Sequence, residues 1–282
     1  MQFKRRIDNL LSVIEIEEEI EQGVTIPIRC RLSEDVDAVV KYPRNRAGSS
    51  ILVNEWVGNS IADIIGLTIP GYGLCRLTES VINNTDYLEE VDSRNQGICF
   101  FSCFLSNTAP ANRRTLSNAG NRETERLILF DHLIRNEDRH YGNILYEVSE
   151  NHKVYFIDCS HIMVPRTQNL HDKNNLDWEL SDEAILDNSM LSNKKENMYG
   201  KLCQTMGYRE DILFSEMNNI KESLTMDGLN EIRSSIPKEW INETANRRIE
   251  DMFIIIEKRL SRIDDIAEMI AEERRSGQWK KY

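Results

Sequence analysis

Near the middle of the chain, "RNEDRHYGN" spans residues 135 to 143 and crowds Arg135, Glu137, Asp138, Arg139 and His140 together before Asn143. Apolar segments flank it, "LILFDHLI" before and "ILY" after. A further carboxylate, Asp158, follows in "VYFIDCS". Two carboxylates and an amide are hard oxygen donors. Magnesium prefers such donors and fills its remaining positions with phosphate oxygens and water. If Asn143 and Asp158 supply the metal ligands, Asp138 is left to orient a hydroxyl and take its proton. This is the division of labour of phosphoryl transfer.

Phosphate also needs a fixed positive charge. Lys41 ends the apolar run "AVVK" and so is carried on a rigid strand, and Glu55 in the next helical segment is placed to pair with it. Each residue has a plainer reading. A strand-end lysine is ordinarily solvated, and a lone helix glutamate is ordinarily a surface residue. His140, and His161 in "IDCSH", can equally be structural histidines bonded to loop backbone. The combination of Asp138, Asn143 and Asp158 carries the chemical reading.

The elements that must hold these groups are readable from periodicity. Residues 24–42 predict two strands around an "SEDVD" turn, and "GYGLCRL" and "GICFFSCFL" predict two more. "ILVNEWVGNSIADIIGL" has helical spacing and ends near Gly66. "RETERLILFDHLIRN" predicts a helix with Asn121 as its N-cap. "NILYEV" and "VYFIDCS" predict a hairpin that brings Asp158 back towards Asn143. The polar stretch 106–123, with Pro and Gly, marks a boundary, and 166–182 reads as irregular. Apolar residues from Ile249 to Ile270 recur every three or four positions and predict one long terminal helix packed on its own domain.

Composition sets limits. A net charge of −12 argues against nucleic acid or an anionic membrane as the main partner, since both call for a basic surface. Six scattered cysteines form no C-x-x-C pair, which argues against a zinc site and for small core residues in a reducing cytoplasm. The basic start of the chain leads into a short apolar run that soon turns acidic, unlike a secretory signal. No stretch approaches the roughly 20 apolar residues of a membrane span.

"NEDRHYGNIL" followed by "YFIDCSH" resembles the catalytic and metal motifs of HipA-like kinases, and is similar to the D-R-H-x-x-N and I-D-F-G-H motifs of phosphoinositide kinases. Upstream, "GVTIPIRCRL…AVVKYPRNRAGSSILVNEW" looks like the N-lobe of the standalone HipA-like domain, so the resemblance covers about residues 23–161. It implies an α+β, bilobal protein-kinase-like fold, with a mainly β N-lobe (1–105) and a mainly α C-lobe (106–282). It implies ATP and Mg2+ as cofactors and transfer of the γ-phosphoryl group to a hydroxyl, foremost Ser or Thr of a protein substrate. An antitoxin or other regulatory partner is the implied setting. A small-molecule or phosphoinositide kinase, and a degenerate kinase acting as a binding module, are the alternatives.

Residue by residue, the resemblance makes Asp138 catalytic, with His140 shaping the loop near the terminal phosphate. It gives Lys41 and Glu55 to the nucleotide phosphates, Phe104 and Leu105 to adenine, and Asn143 and Asp158 to the metal. The sequence departs from the pattern in two places. No glycine-rich loop precedes Lys41, which leaves Gly48 in "PRNRAGSS" as a substitute phosphate cover or as plain loop; and "DCS" stands where D-F-G would.

Overall fold

A computed structural model describes residues 3–20, 25–45, 48, 50–85, 88–148, 153–163, 185–186, 198–206 and 209–277. The irregular stretch expected at 166–182 lies outside them, as do Arg46, Ala47 and Ser49 of the "PRNRAGSS" loop.

The first half closes a five-stranded barrel in the order β1-β2-β3-β5-β4. Its strands are β1 (Arg6–Glu19), β2 (Ile28–Leu32), β3 (Val36–Lys41), β4 (Tyr72–Leu77) and β5 (Gly97–Cys103). The four strands read from the sequence are all present. The longest, β1, is not among those expectations. Its inward residues Leu11, Val13 and Ile16 break the two-residue period. Register shifts between Val13 and Glu15 and between Ile16 and Glu18 account for the break. The strand runs antiparallel to β2 and parallel to β4, which closes the barrel. Its start is tied down where Asp63 accepts the backbone N–H groups of Lys4 and Arg5.

Helix α1 (Ser50–Ile64) lies against the outside of β5. The alternation of β5 explains how one strand serves two cores. Cys99 and Phe101 face the barrel interior, while Ile98 and Phe100 join the larger cluster around α1. Gly66 ends α1 as expected, with φ +74 and Leu67 N donating to Ala62 O at 2.9 Å.

The second half is mainly helical and carries one small sheet. Helix α3 (Asn121–Leu133) starts one residue earlier than the cap assignment predicted. Gly120 occupies the cap at φ +74 and its carbonyl accepts the Thr124 N–H and hydroxyl, so Asn121 is already inside the helix. Strands β7 (Ile144–Glu147) and β8 (Val154–Phe156) form the expected hairpin. The polar 106–123 stretch also contributes β6 (Thr108–Pro110), which pairs with β7.

The single terminal helix is corrected to two, α7 (Glu243–Ser261) and α8 (Ile263–Arg275), separated at Arg262 with φ −118 and ψ 26. No glycine or proline marks the break, and the apolar spacing runs straight through it. Ile249, Met252, Phe253, Ile256, Ile263, Ala267 and Ile270 are all buried, so the stripe packs into its own protein rather than forming a coiled-coil seam.

Candidate active site

The charges between residues 135 and 143 divide into two groups. Arg139 and Asp131 are buried and doubly hydrogen-bonded, both at 2.9 Å. Burial works against the Arg139 charge, but Asp131 outweighs it and holds the guanidinium pKa above its ordinary value. The remaining guanidinium nitrogen donates to the carbonyls of Asn143 and Ile157 at 2.9 and 2.8 Å. One arginine therefore ties α3, the loop and the end of β8 together. Arg135 and Glu137 are also buried, 3.8 Å apart. Asp138 and His140 are the charges left open to solvent.

The loop backbone is fixed from within. Asp138 N donates to Asn136 Oδ1 at 3.2 Å, and Asn136 Nδ2 donates to Asp131 at 3.0 Å. Asn143 Nδ2 donates to the Asp138 carbonyl at 2.8 Å, so the amide nitrogen is held by protein and the amide's acceptor is the group it can offer a cation.

Lys41 sits at the end of β3, buried, with its ammonium hydrogen-bonded to Glu55 on α1 and 3.1 Å from Asp158 Oδ1. Ser160 Oγ accepts from Lys41 Nζ at 3.2 Å. Burial opposes the lysine charge, yet Asp158 and Glu55 keep its pKa above that of a free lysine. Burial would lift Asp158, but Lys41 and the Ser160 hydroxyl and N–H hold its carboxyl well below the usual carboxylate range. Burial pushes Glu55 up and Lys41 offsets only part of this. Glu55 is 2 % exposed, so the plain surface reading of that residue does not hold. Asn59 and the Cys159 N–H complete its hydrogen bonds. Asp158 itself has φ +64, a left-handed backbone that costs a non-glycine residue and is stabilised by the Ser160 N–H at 3.0 Å.

A cavity of about 480 Å³ opens beside this cluster, and all eight residues singled out from sequence line it: Lys41, Glu55, Phe104, Leu105, Asp138, His140, Asn143 and Asp158. Its apolar walls include Val39, Phe100, Leu145 and Ile157. Arg29, paired with Asp37, stacks over the Phe104 ring at 4.0 Å, and Phe104 N donates to the Asp37 carbonyl. Gly48 does not line the cavity. Ile20, Thr25 and Pro27, between β1 and β2, do.

Sequence reasoning did not find several residues that build the site. Ser160 hydrogen-bonds both Lys41 and Asp158. Asn54, beside Glu55, donates to the Ser160 and Ile162 carbonyls at 2.6 and 3.4 Å and accepts from Arg248 on α7. Apart from Ser160 and Asp158, which are two positions apart, these partners lie more than 100 positions apart, beyond any local pattern. Only "DRH" carried a signal for Arg139.

A family model described as HipA-like kinase matches residues 13–267. The chain belongs to the HipA-like kinases. By family, then, this HipA-like kinase is a phosphotransferase. Its structure is similar to that of a proinflammatory kinase of Helicobacter pylori, CtkA, with a TM-score of 0.58 and 15 % identity over 95 % of this chain and 99 % of the other. It is also similar to the HipA of Shewanella oneidensis MR-1, from a toxin–antitoxin system crystallised with HipB and operator DNA. There the TM-score is 0.53 and the identity 9 %, over 90 % of this chain and 68 % of the other. At such identities the likeness shows the fold, which is kinase-like. No curated protein matches the sequence.

Proposed function

We propose that this HipA-like kinase transfers the γ-phosphoryl group of ATP, with magnesium, to a Ser or Thr hydroxyl of a protein. The supporting observation is the Lys41 ammonium held between Glu55 and Asp158 in a cavity that Asp138 and Asn143 also line. A lysine so held presents a fixed charge to nucleotide phosphates without reorganising at the moment of reaction.

Asn143 and Asp158 fit magnesium by donor type, one amide and one ionised carboxylate. Among the described residues no set of three His, Cys, Asp or Glu side chains is placed to hold a metal, so the remaining positions fall to phosphates and water. Magnesium, when bound, neutralises phosphate charge and helps the leaving group depart. Asp138 orients the acceptor hydroxyl and takes its proton. Phe104 and Leu105 border the adenine, with Phe104 steadied by Arg29.

The barrel and the helical half, 1–105 and 106–282, are read as two lobes with the cavity at their junction. The separate barrel core supports this reading, although α1 packs with the larger cluster. Six free cysteines suit a reducing cytoplasm, and among the described residues no helix is long and apolar enough to cross a membrane. A regulatory protein partner is proposed by family.

Incubation with labelled ATP and magnesium, followed by mass spectrometry of the chain and of lysate proteins, tests the reading. Phosphoserine or phosphothreonine is the expected product. Label found only in anionic liposomes would move the acceptor to a phosphoinositide, and no label on any acceptor would leave a nucleotide-binding module.

A further inference from the structure

Asp138 does not face the cavity alone. Its Oδ2 lies 3.8 Å from His140 Nε2 and 3.7 Å from His161 Nδ1. Both distances are too long for a hydrogen bond. Both rings line the cavity beside Asp138.

His161 combines two properties that rarely coincide. Its backbone is pinned on both sides. Asn54 Nδ2 donates to the carbonyls of Ser160 and Ile162, the two neighbours of His161, and Ile162 forms a β-bridge with Asn136 at the base of the 135–143 loop. Its Nδ1 atom, in contrast, is shielded from solvent and has no hydrogen-bond partner within the protein. An orphaned nitrogen of this kind costs roughly 1–3 kcal/mol unless something satisfies it. A structural histidine would have spent that nitrogen on loop backbone, as His140 does in accepting the Gly142 N–H at 3.0 Å.

We infer that His161 Nδ1 is a contact of the acceptor hydroxyl, and that Asp138 and His161 together form the acceptor subsite. This deepens the proposed function and rests on it. An oxygen placed about 2.8 Å from each atom would bridge this 3.7 Å separation. The hydroxyl donates its proton to Asp138 Oδ2. Nδ1–H donates to one lone pair of the same oxygen, which leaves the other directed at phosphorus. In the transfer step the acceptor oxygen forms a bond to the γ-phosphorus. The bond from that phosphorus to the β,γ-bridging oxygen breaks, its electron pair leaves with ADP, and the hydroxyl proton passes to Asp138 and then to solvent. His161 gains and loses nothing; it holds the nucleophile in line.

Three variants test this: His161→Phe, which keeps a ring without the donor; His161→Asn, whose amide nitrogen falls near the Nδ1 position; and His161→Ala. Transfer to protein is measured at saturating ATP, beside calorimetry with a non-hydrolysable ATP analogue and magnesium, and thermal melts. His161→Phe and His161→Ala are expected to lose transfer by on the order of 10²-fold, as for loss of one oriented donor. Their nucleotide affinity should stay within about twofold, since the residue is assigned to the acceptor, and His161→Asn should recover most of the transfer. Wild-type transfer in His161→Phe overturns the inference, as does His161→Asn being no better than His161→Phe. Loss of nucleotide binding or melting stability in step with transfer also overturns it, because the role would then be structural. A wild-type chain that transfers phosphate to no acceptor fails differently: it removes the kinase reading itself.

Discussion

Gly58 of α1 and Cys159 meet so closely that a Cβ on Gly58 would sit 2.5 Å from Cys159 Cβ and 2.7 Å from its Sγ. Contacts that short are not tolerated. The glycine is what lets α1 approach the residue next to Asp158, and hence lets Glu55 and Asp158 share Lys41.

Gly58→Ala should therefore force α1 and the Asp158 segment apart. A stability loss of about 1–3 kcal/mol is expected from overpacking, together with lower transfer. Adding Cys159→Gly should return a large part of both, because it removes the atoms in conflict. Thermal melts and turnover of the single and double variants check the coupling. Additive losses would place the conflict elsewhere.

Lys41→Met should separate stability from chemistry. It removes the charge that two carboxylates face, and breaking a buried pair in this way costs on the order of 3 kcal/mol. Transfer should fall by an amount equivalent to roughly 2–4 kcal/mol. With Glu55→Gln added, the melt should recover and the transfer should not. Unchanged turnover in Lys41→Met would return the residue to a solvated role.

The two aspartates should fail in different ways. Asp158→Ala should weaken magnesium-dependent nucleotide binding along with transfer. Asp138→Asn should leave nucleotide binding nearly intact and lower transfer roughly 10²-fold or more. Calorimetry with a non-hydrolysable analogue beside a turnover assay reads both. Loss of nucleotide binding in Asp138→Asn would show the roles to be misassigned.

His132 supplies a pH signature remote from the cavity. It is fully buried on α3, with Nδ1 2.7 Å from the Ile128 carbonyl, and burial and the Arg259 and Arg274 charges lower its pKa to about 3. The folded state thus keeps the ring neutral where the unfolded chain, near 6.5, takes a proton. Stability is full above that value and falls as the pH drops below it, by about 2 kcal/mol between pH 7 and pH 5. Denaturant unfolding at the two pH values, compared with His132→Gln, measures the slope. An identical slope in the variant would assign the effect to other groups.

Much of the site was legible because its parts are short and local. Asp138, His140 and Asn143 share one loop, the hairpin returns Asp158 beside it, and alternation placed Lys41 at the end of a strand. Two features went unread for opposite reasons, one because its period is interrupted and the other because its period continues. Two register shifts hid β1, and the α7–α8 break at Arg262 has no local marker. That Ile20, Thr25 and Pro27 line the cavity went unread for a further reason: barrel closure brings them to it.

The sequence by itself determined which residue types stand ready for phosphoryl transfer and which local element carries each, since strand and helix periods and loop composition act over a few residues. Its "NEDRHYGN" and "FIDCSH" motifs also pointed to the family whose model matches residues 13–267. Tertiary structure alone decided which charges are chemical and which are structural. Arg139 and Glu55 look like surface charges in a string of letters, but burial strips their water and sets them against Asp131 and Lys41. The same holds for His161, whose nitrogen has meaning only because Asn54, 107 positions away, fixes the backbone on either side of it.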